Sequence, residues 1–223
     1  MSSLVKDINK NAIYSNQLLS ANRMLLQGVS WQTYESLLED FSSQSCPHLT
    51  YDEGTLEIMS PTSEHERVKH VIEMIVELLS LEIGLDVYCL ASTTFKSKDL
   101  KRGFEPDTCF YIQNLTSIEG KESIDLEVDP PPDLIIEIDI TSQSINKFPI
   151  YASLNMPEVW RYDGEKLIIY QLVSKQYIEV TNSIALSLVT FTDISDFIKK
   201  NVGKRSSVLA KEIKDWAKRL LNN

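Results

Sequence analysis

Two acids in this chain stand where acids are costly. Glu137 interrupts the run Leu134-Ile135-Ile136-Glu137-Ile138, which is otherwise apolar and reads as a central, buried strand. Asp107 follows Pro106 inside a second strand pattern, Phe104 to Ile112. A lone carboxylate on a buried strand is unfavourable unless it is paired or bound to a cation, and two on neighbouring strands repel each other. A divalent ion relieves that repulsion, and an all-oxygen ligand set suits Mg²⁺ or Mn²⁺. Such an ion lowers the pKa of a bound water and neutralises charge on a scissile phosphate. Lys147 lies ten residues after Glu137, at the start of a helix pattern. There it can orient the water or steady the developing charge. Asp107 and Glu137 as metal ligands, with Lys147 as their catalytic companion, point to phosphodiester hydrolysis.

Each residue also has a plain structural reading. Asp107 after Pro106 can be a turn acid, Glu137 a salt-bridge partner, and Lys147 a solvated helix lysine. Asp139 shares the strand parity of Glu137, and Glu105 that of Asp107, because side chains alternate along a strand. Either can be a further ligand or only a strand-end acid. Glu64, His65 and Glu66 open a helix pattern, where acids favour the dipole whether or not they serve a site. Tyr151, one helical turn after Lys147, can flank the site or simply pack.

The elements that must position these groups can be read along the chain. Residues 1–29 read as a polar arm, and residues 30–223 as a single domain. Ser30 caps a helix pattern from Trp31 to about Asp40. Leu56 to Met59 alternates as a strand, and Pro61 breaks the chain. Ser63 with Glu66 forms a capping-box signal for a helix to about Ile83, closed by Gly84. Residues 86–90 are β-rich, and Glu119 to Pro132 is an acidic, Pro-rich loop. After the Glu137 strand come a short helix pattern, Ile145 to Leu154, and strands over 157–162 and 166–173, parted by Asp163-Gly164. Gln176 to Val180 can pair with the latter. Ser206 or Ser207 starts a final amphipathic helix with Leu209, Ile213, Trp216, Ala217 and Leu220 facing inward.

With 223 residues, 43% of them hydrophobic, the chain can bury a sizeable core. It has no run of about 18 apolar residues of the kind that spans a membrane. The polar start, Met1 to Lys10, lacks the apolar stretch of a signal peptide. Cys46, Cys89 and Cys109 are odd in number and widely spaced, which fits free thiols in a reducing, cytoplasmic setting. His48, His65 and His70 are too scattered for a zinc site. The formal charge of −10 argues mildly against a nucleic-acid partner. The distribution softens that objection. Residues 199–223 carry eight Lys or Arg against Glu212 and Asp215, while residues 105–139 carry ten acids against Lys121 alone.

The motifs fall in a telling order: "SPTSEHERV", "GFEPDTCFYI", "PPDLIIEIDITSQS", then "KFPIYASLNMPEVWRYDG". Over about residues 30 to 175 this resembles the Uma2 family of endonucleases, within the restriction-endonuclease-like PD-(D/E)xK superfamily. The resemblance implies a central mixed sheet flanked by helices, in the order αβββαβ. It implies a Mg²⁺- or Mn²⁺-dependent endonuclease with DNA as the expected substrate, and it admits a homodimer. The family's metal-binding acids map onto Asp107 and Glu137, and its helix-borne lysine maps onto Lys147. His65 falls where such proteins often carry a histidine. Asp139 occupies the place of the superfamily's usual lysine, a departure from the motif. Two other readings stay open: a catalytically inactive nuclease-fold module acting in assembly or regulation, and a hydrolase of other phosphate esters.

Overall fold

The computed structural model describes residues 22–42, 44, 46–140 and 145–222. In chain order its elements are β1 (Asn22–Leu26), α1 (Trp31–Phe41), β2 (His48–Asp52), β3 (Thr55–Ser60), α2 (Ser63–Ile83), β4 (Tyr88–Cys89), β5 (Phe95–Ser97) and β6 (Arg102–Phe104). They continue as β7 (Thr108–Tyr111), α3 (Leu115–Ile118), β8 (Leu134–Ile138), α4 (Phe148–Ser153), β9 (Glu158–Tyr162), β10 (Leu167–Val173), β11 (Gln176–Val180), α5 (Phe191–Asn201) and α6 (Ser206–Leu221). The class is mixed α and β, as the sequence implied. A central six-stranded sheet runs β11-β10-β9-β8-β7-β4, and a second, five-stranded sheet runs β1-β3-β2-β6-β5. Among the described residues only β8 and β9 pair in parallel; the other paired strands are antiparallel. Parallel neighbours need a crossover, and α4 lies on that connection.

The central sheet buries both faces, which is why β8 is apolar along almost its whole length. Leu134, Ile136 and Ile138 join Trp160 and Tyr162 under α2, α5 and α6. Ile135, Cys109 and Val159 face the other way, toward Ile150 and Tyr151 of α4 and Phe95 and Phe104 of the second sheet. Helix α1 covers the far side of that second sheet through Tyr34, with Leu49, Tyr51 and Leu56 beneath it.

Several expectations shift at their edges. The strand expected from Phe104 to Ile112 is two strands in two different sheets, β6 and β7. Glu105-Pro106-Asp107 is the crossing between them. Pro106 has no N–H to give a ladder, so it breaks the pairing there. The long helix is capped by Thr62, one residue before the expected Ser63: Thr62 accepts from the His65 N–H at 3.2 Å. Gly84 closes that helix in the left-handed conformation, φ 73°, which glycine adopts without steric penalty. Residues 1–21 of the expected arm lie outside the described residues, and Asn22–Leu26 forms the edge strand β1, paired with β3. Helix α5 has no counterpart among the expected elements. Its signal is the reciprocal cap of Thr190 and Asp193, with Asp in the position where Glu or Gln is the usual marker. Among the described residues no helix is long and apolar enough to cross a membrane.

Ile136 is fully buried at the centre of the larger core. Ile136→Ala is expected to destabilise the fold by about 2–5 kcal/mol through lost burial plus cavity formation. A denaturant midpoint unchanged from wild type would show that this strand does not anchor the core.

Candidate active site

Asp107 ends the crossing between the sheets and is buried. Its Oδ2 accepts a hydrogen bond from the Ile138 backbone N–H at 2.7 Å. His65 Nε2 lies 3.1 Å from the same oxygen, brought there by the first turn of α2. His48 Nδ1, at the start of β2, lies 3.6 Å from Oδ1. Neither imidazole is aligned for a hydrogen bond, and Oδ1 has no hydrogen-bond partner among the described residues. These are electrostatic contacts to a carboxylate with one oxygen to spare.

Glu137 belongs to the same face. Cys109 and Ile135 both face α4, and Asp107 and Glu137 share their parities. The β7–β8 register sets Thr108 against Ile136; one further step sets Asp107 against Glu137. Helix α4 then delivers two partners to Glu137. Lys147, immediately before the helix, donates from Nζ to Oε2 at 2.7 Å, and Tyr151, one turn later, donates its hydroxyl to Oε1. The sequence-predicted trio of Asp107, Glu137 and Lys147 is thus assembled, with Tyr151 and His65 added to it.

Electrostatics separates the two acids. Burial acts to raise the Asp107 pKa, but the imidazoles of His48 and His65 and the charge of Lys147 more than offset it, leaving Asp107 well below the usual carboxylate range. Glu137 goes the other way. Burial, with the charges of Asp107 and Asp139, pushes it up to about 7 despite Lys147. Burial opposes the Lys147 charge, yet Glu137 and Asp107 raise its pKa. His65 is likewise raised: burial lowers it, and Asp107 and Glu66 outweigh that.

Two buried carboxylates face one buried ammonium, so the ionised trio is one positive charge short. The spare Oδ1 of Asp107 and the poorly compensated charge of Glu137 both suit a hard divalent cation. Among the described residues, no group of three or more His, Cys, Asp or Glu side chains is arranged to hold a metal ion. An ion held here would take two protein carboxylates and fill its other positions with water or substrate, as Mg²⁺ does where it keeps much of its hydration.

The other candidate acids have different partners. Glu105 is tied to the second sheet, accepting from Leu49 N–H and Thr94 Oγ1, each at 2.7 Å. Glu64 is exposed at the start of α2. Glu66, also exposed, lies 3.6 Å from Lys69 and 3.4 Å from His65. Asp139 accepts from two arginines, Arg161 Nε at 2.8 Å and Arg23 Nη2 at 3.1 Å. Arg23 also lies 3.5 Å from Glu57 of β3, a buried acid. The sequence by itself assigns no site role to His48, Arg23, Glu57 or Arg161. An acid within the alternating strand Leu56–Met59 was the available signal for Glu57; nothing local marks Arg23, 116 residues from its partner. The basic helix α6 packs on α2, across the sheet from Glu137. Its row of lysines does not border the cleft. That cleft, about 330 Å³, is lined by Glu137, Asp139, Lys147, Phe148, Tyr151 and Arg161 among others.

Residues 31–195 match the Uma2 family, described as "Putative restriction endonuclease". The chain is also similar to the crystal structure described as a "putative nuclease belonging to DUF820" from Anabaena variabilis. Identity is 15%, the match covers 71% of this chain and 97% of that one, and the TM-score is 0.49. No curated protein matches the chain.

The raised pKa of Glu137 carries a stability signature. Between the ordinary glutamate value of 4.5 and about 7, the folded state holds a proton that the unfolded state has released. Stability is therefore lost as pH rises through that window, by roughly 3 kcal/mol in all. Glu137→Gln, which cannot ionise, is expected to lack that loss. Urea unfolding in chelator across this range checks it; parallel curves for the two proteins would contradict the buried, under-compensated carboxylate.

Proposed function

Because the chain belongs to the Uma2 family, the "Putative restriction endonuclease" family that spans residues 31–195, we propose that it is a Mg²⁺- or Mn²⁺-dependent endonuclease acting on DNA. The observation that carries this reading is the pairing of Asp107 and Glu137 on one buried face, with Lys147 on Glu137 and an oxygen of Asp107 left without a hydrogen-bond partner among the described residues. When bound, the divalent ion would be held by Asp107 and Glu137 and would supply charge neutralisation at the phosphate and a more acidic water.

The chain's own residues prepare that chemistry. The Ile138 N–H and the neighbouring imidazoles keep Asp107 ionised and fixed. Tyr151 holds one oxygen of Glu137 and Lys147 the other, so its carboxylate cannot swing away from the cleft. Lys147 Nζ, an ammonium throughout the neutral range, offers a cation beside the acids where negative charge develops on phosphoryl oxygens. Asp139 belongs to a neighbouring ion-pair group in this scheme, engaged by two arginines.

A specific observation favours the second reading, an inactive nuclease-fold module. Both oxygens of Glu137 already have partners within the chain. A lysine and a tyrosine could satisfy that carboxylate without any ion.

Three measurements separate the readings. Wild type is expected to cut plasmid DNA with Mg²⁺ or Mn²⁺ and not in chelator. Lys147→Ala and Glu137→Gln are each expected to slow cleavage by about 10²-fold or more. Calorimetry with Mn²⁺ should show binding to wild type that Asp107→Asn abolishes. Absent cleavage together with absent Mn²⁺ binding would favour the inactive module.

A further inference from the structure

We propose that Arg161 is the substrate-phosphate contact of this site, and that Asp139, with Arg23, is there to position it. This deepens the nuclease reading and rests on it.

Charge sets the first requirement. A polyanion approaching a chain of net charge −10 needs a local cation at the point of docking. Among the described residues, two cationic side chains line the cleft, Lys147 and Arg161. Lys147 is only 8% exposed and its Nζ is committed to Glu137. Arg161 is 39% exposed. The β8–β9 register places it directly against Glu137 on the next strand, so a phosphate bound by it would lie beside Glu137. A guanidinium suits phosphate because it is planar, always charged, and able to give two parallel N–H bonds to phosphate oxygens.

Asp139 explains why the arginine is held ready. It takes Arg161 through Nε at 2.8 Å, leaving the terminal nitrogens outside that bond. Fixing one end of a long side chain removes rotamer freedom that binding would otherwise have to remove. Asp139 is itself held from the other side by Arg23 at 3.1 Å. Arg23 comes from β1, ahead of the family-matched segment 31–195, and it bridges to Glu57 of the second sheet. The aspartate in the superfamily's lysine position is thus an anchor for cations. Its charge is answered by two arginines, which leaves it a poor candidate for a third metal ligand.

Binding of a fluorescein-labelled DNA duplex, followed by anisotropy in chelator so that nothing is cut, tests this. Arg161→Gln is expected to weaken binding about tenfold and to lower the slope of log Kd against log salt by about one. Arg161→Lys should recover the salt slope but only part of the affinity, because it restores the charge without the fork. Asp139→Asn should weaken the same binding by a smaller factor while Mn²⁺ affinity, measured by calorimetry, stays at the wild-type value. In steady-state cleavage, Arg161→Gln should raise KM more than it lowers kcat. If wild type binds and cuts DNA while Arg161→Gln keeps its Kd and salt slope, the assignment to Arg161 is wrong and the nuclease reading stands. If Asp139→Asn loses Mn²⁺ affinity, Asp139 is a ligand and not an anchor. If wild type neither binds nor cuts DNA, both the assignment and the nuclease reading are overturned.

Discussion

The cost of keeping two carboxylates out of water governs this structure. Burying one acid requires a partner, and burying two side by side requires more positive charge than a single lysine supplies. Around Asp107 and Glu137 the chain arranges a backbone N–H, two imidazoles, an ammonium and a phenol. Five elements contribute: β2, the first turn of α2, β7 with the residue before it, β8, and α4 with the residue before it. The hydrophobic clusters on both faces of the central sheet hold these elements against the electrostatic cost of the buried acids. One acid is held ionised and the other close to neutrality, so the same face contains a fixed charge and a titratable one.

The placement of Lys147 follows from topology. Strands β8 and β9 are parallel, so the chain must leave the sheet and return, and α4 lies on that return path. A lysine at the start of this helix reaches back over the end of the strand it has just left. In the proposed nuclease, the part a strand-borne lysine could play would fall to the crossover. That frees position 139 for an acid, and the arginines beside it form a second group of charges next to the first.

Much of this was legible in the sequence. A charged residue inside Leu134–Ile138 is visible because the strand is otherwise apolar, and the 3.6-residue stripe of α2 is long enough to recognise. Lys147 is ordinary by itself and gains meaning from the resemblance and from its closeness in sequence to Glu137. The break between β6 and β7 was hidden because an alternating pattern does not say which sheet a strand joins; only Pro106 hinted at it. Arg23, His48 and Glu57 were invisible as a group because their partners lie far off along the chain, 116 residues away in the case of Arg23 and Asp139. Such contacts exist only once both sheets have formed.

The three residues Glu105, Pro106 and Asp107 are where the two sheets are stitched together. Glu105 fastens to the second sheet through Leu49 and Thr94, and Asp107 fastens to the central sheet through Ile138. The carboxylate of Asp107 is therefore part of the seam. Loosening either sheet would pull on the same short stitch, so a disturbance in the five-stranded sheet has a backbone route to Asp107 that bypasses the cleft. A weakened five-stranded sheet would then register at Asp107 as well as in the stability of the whole fold.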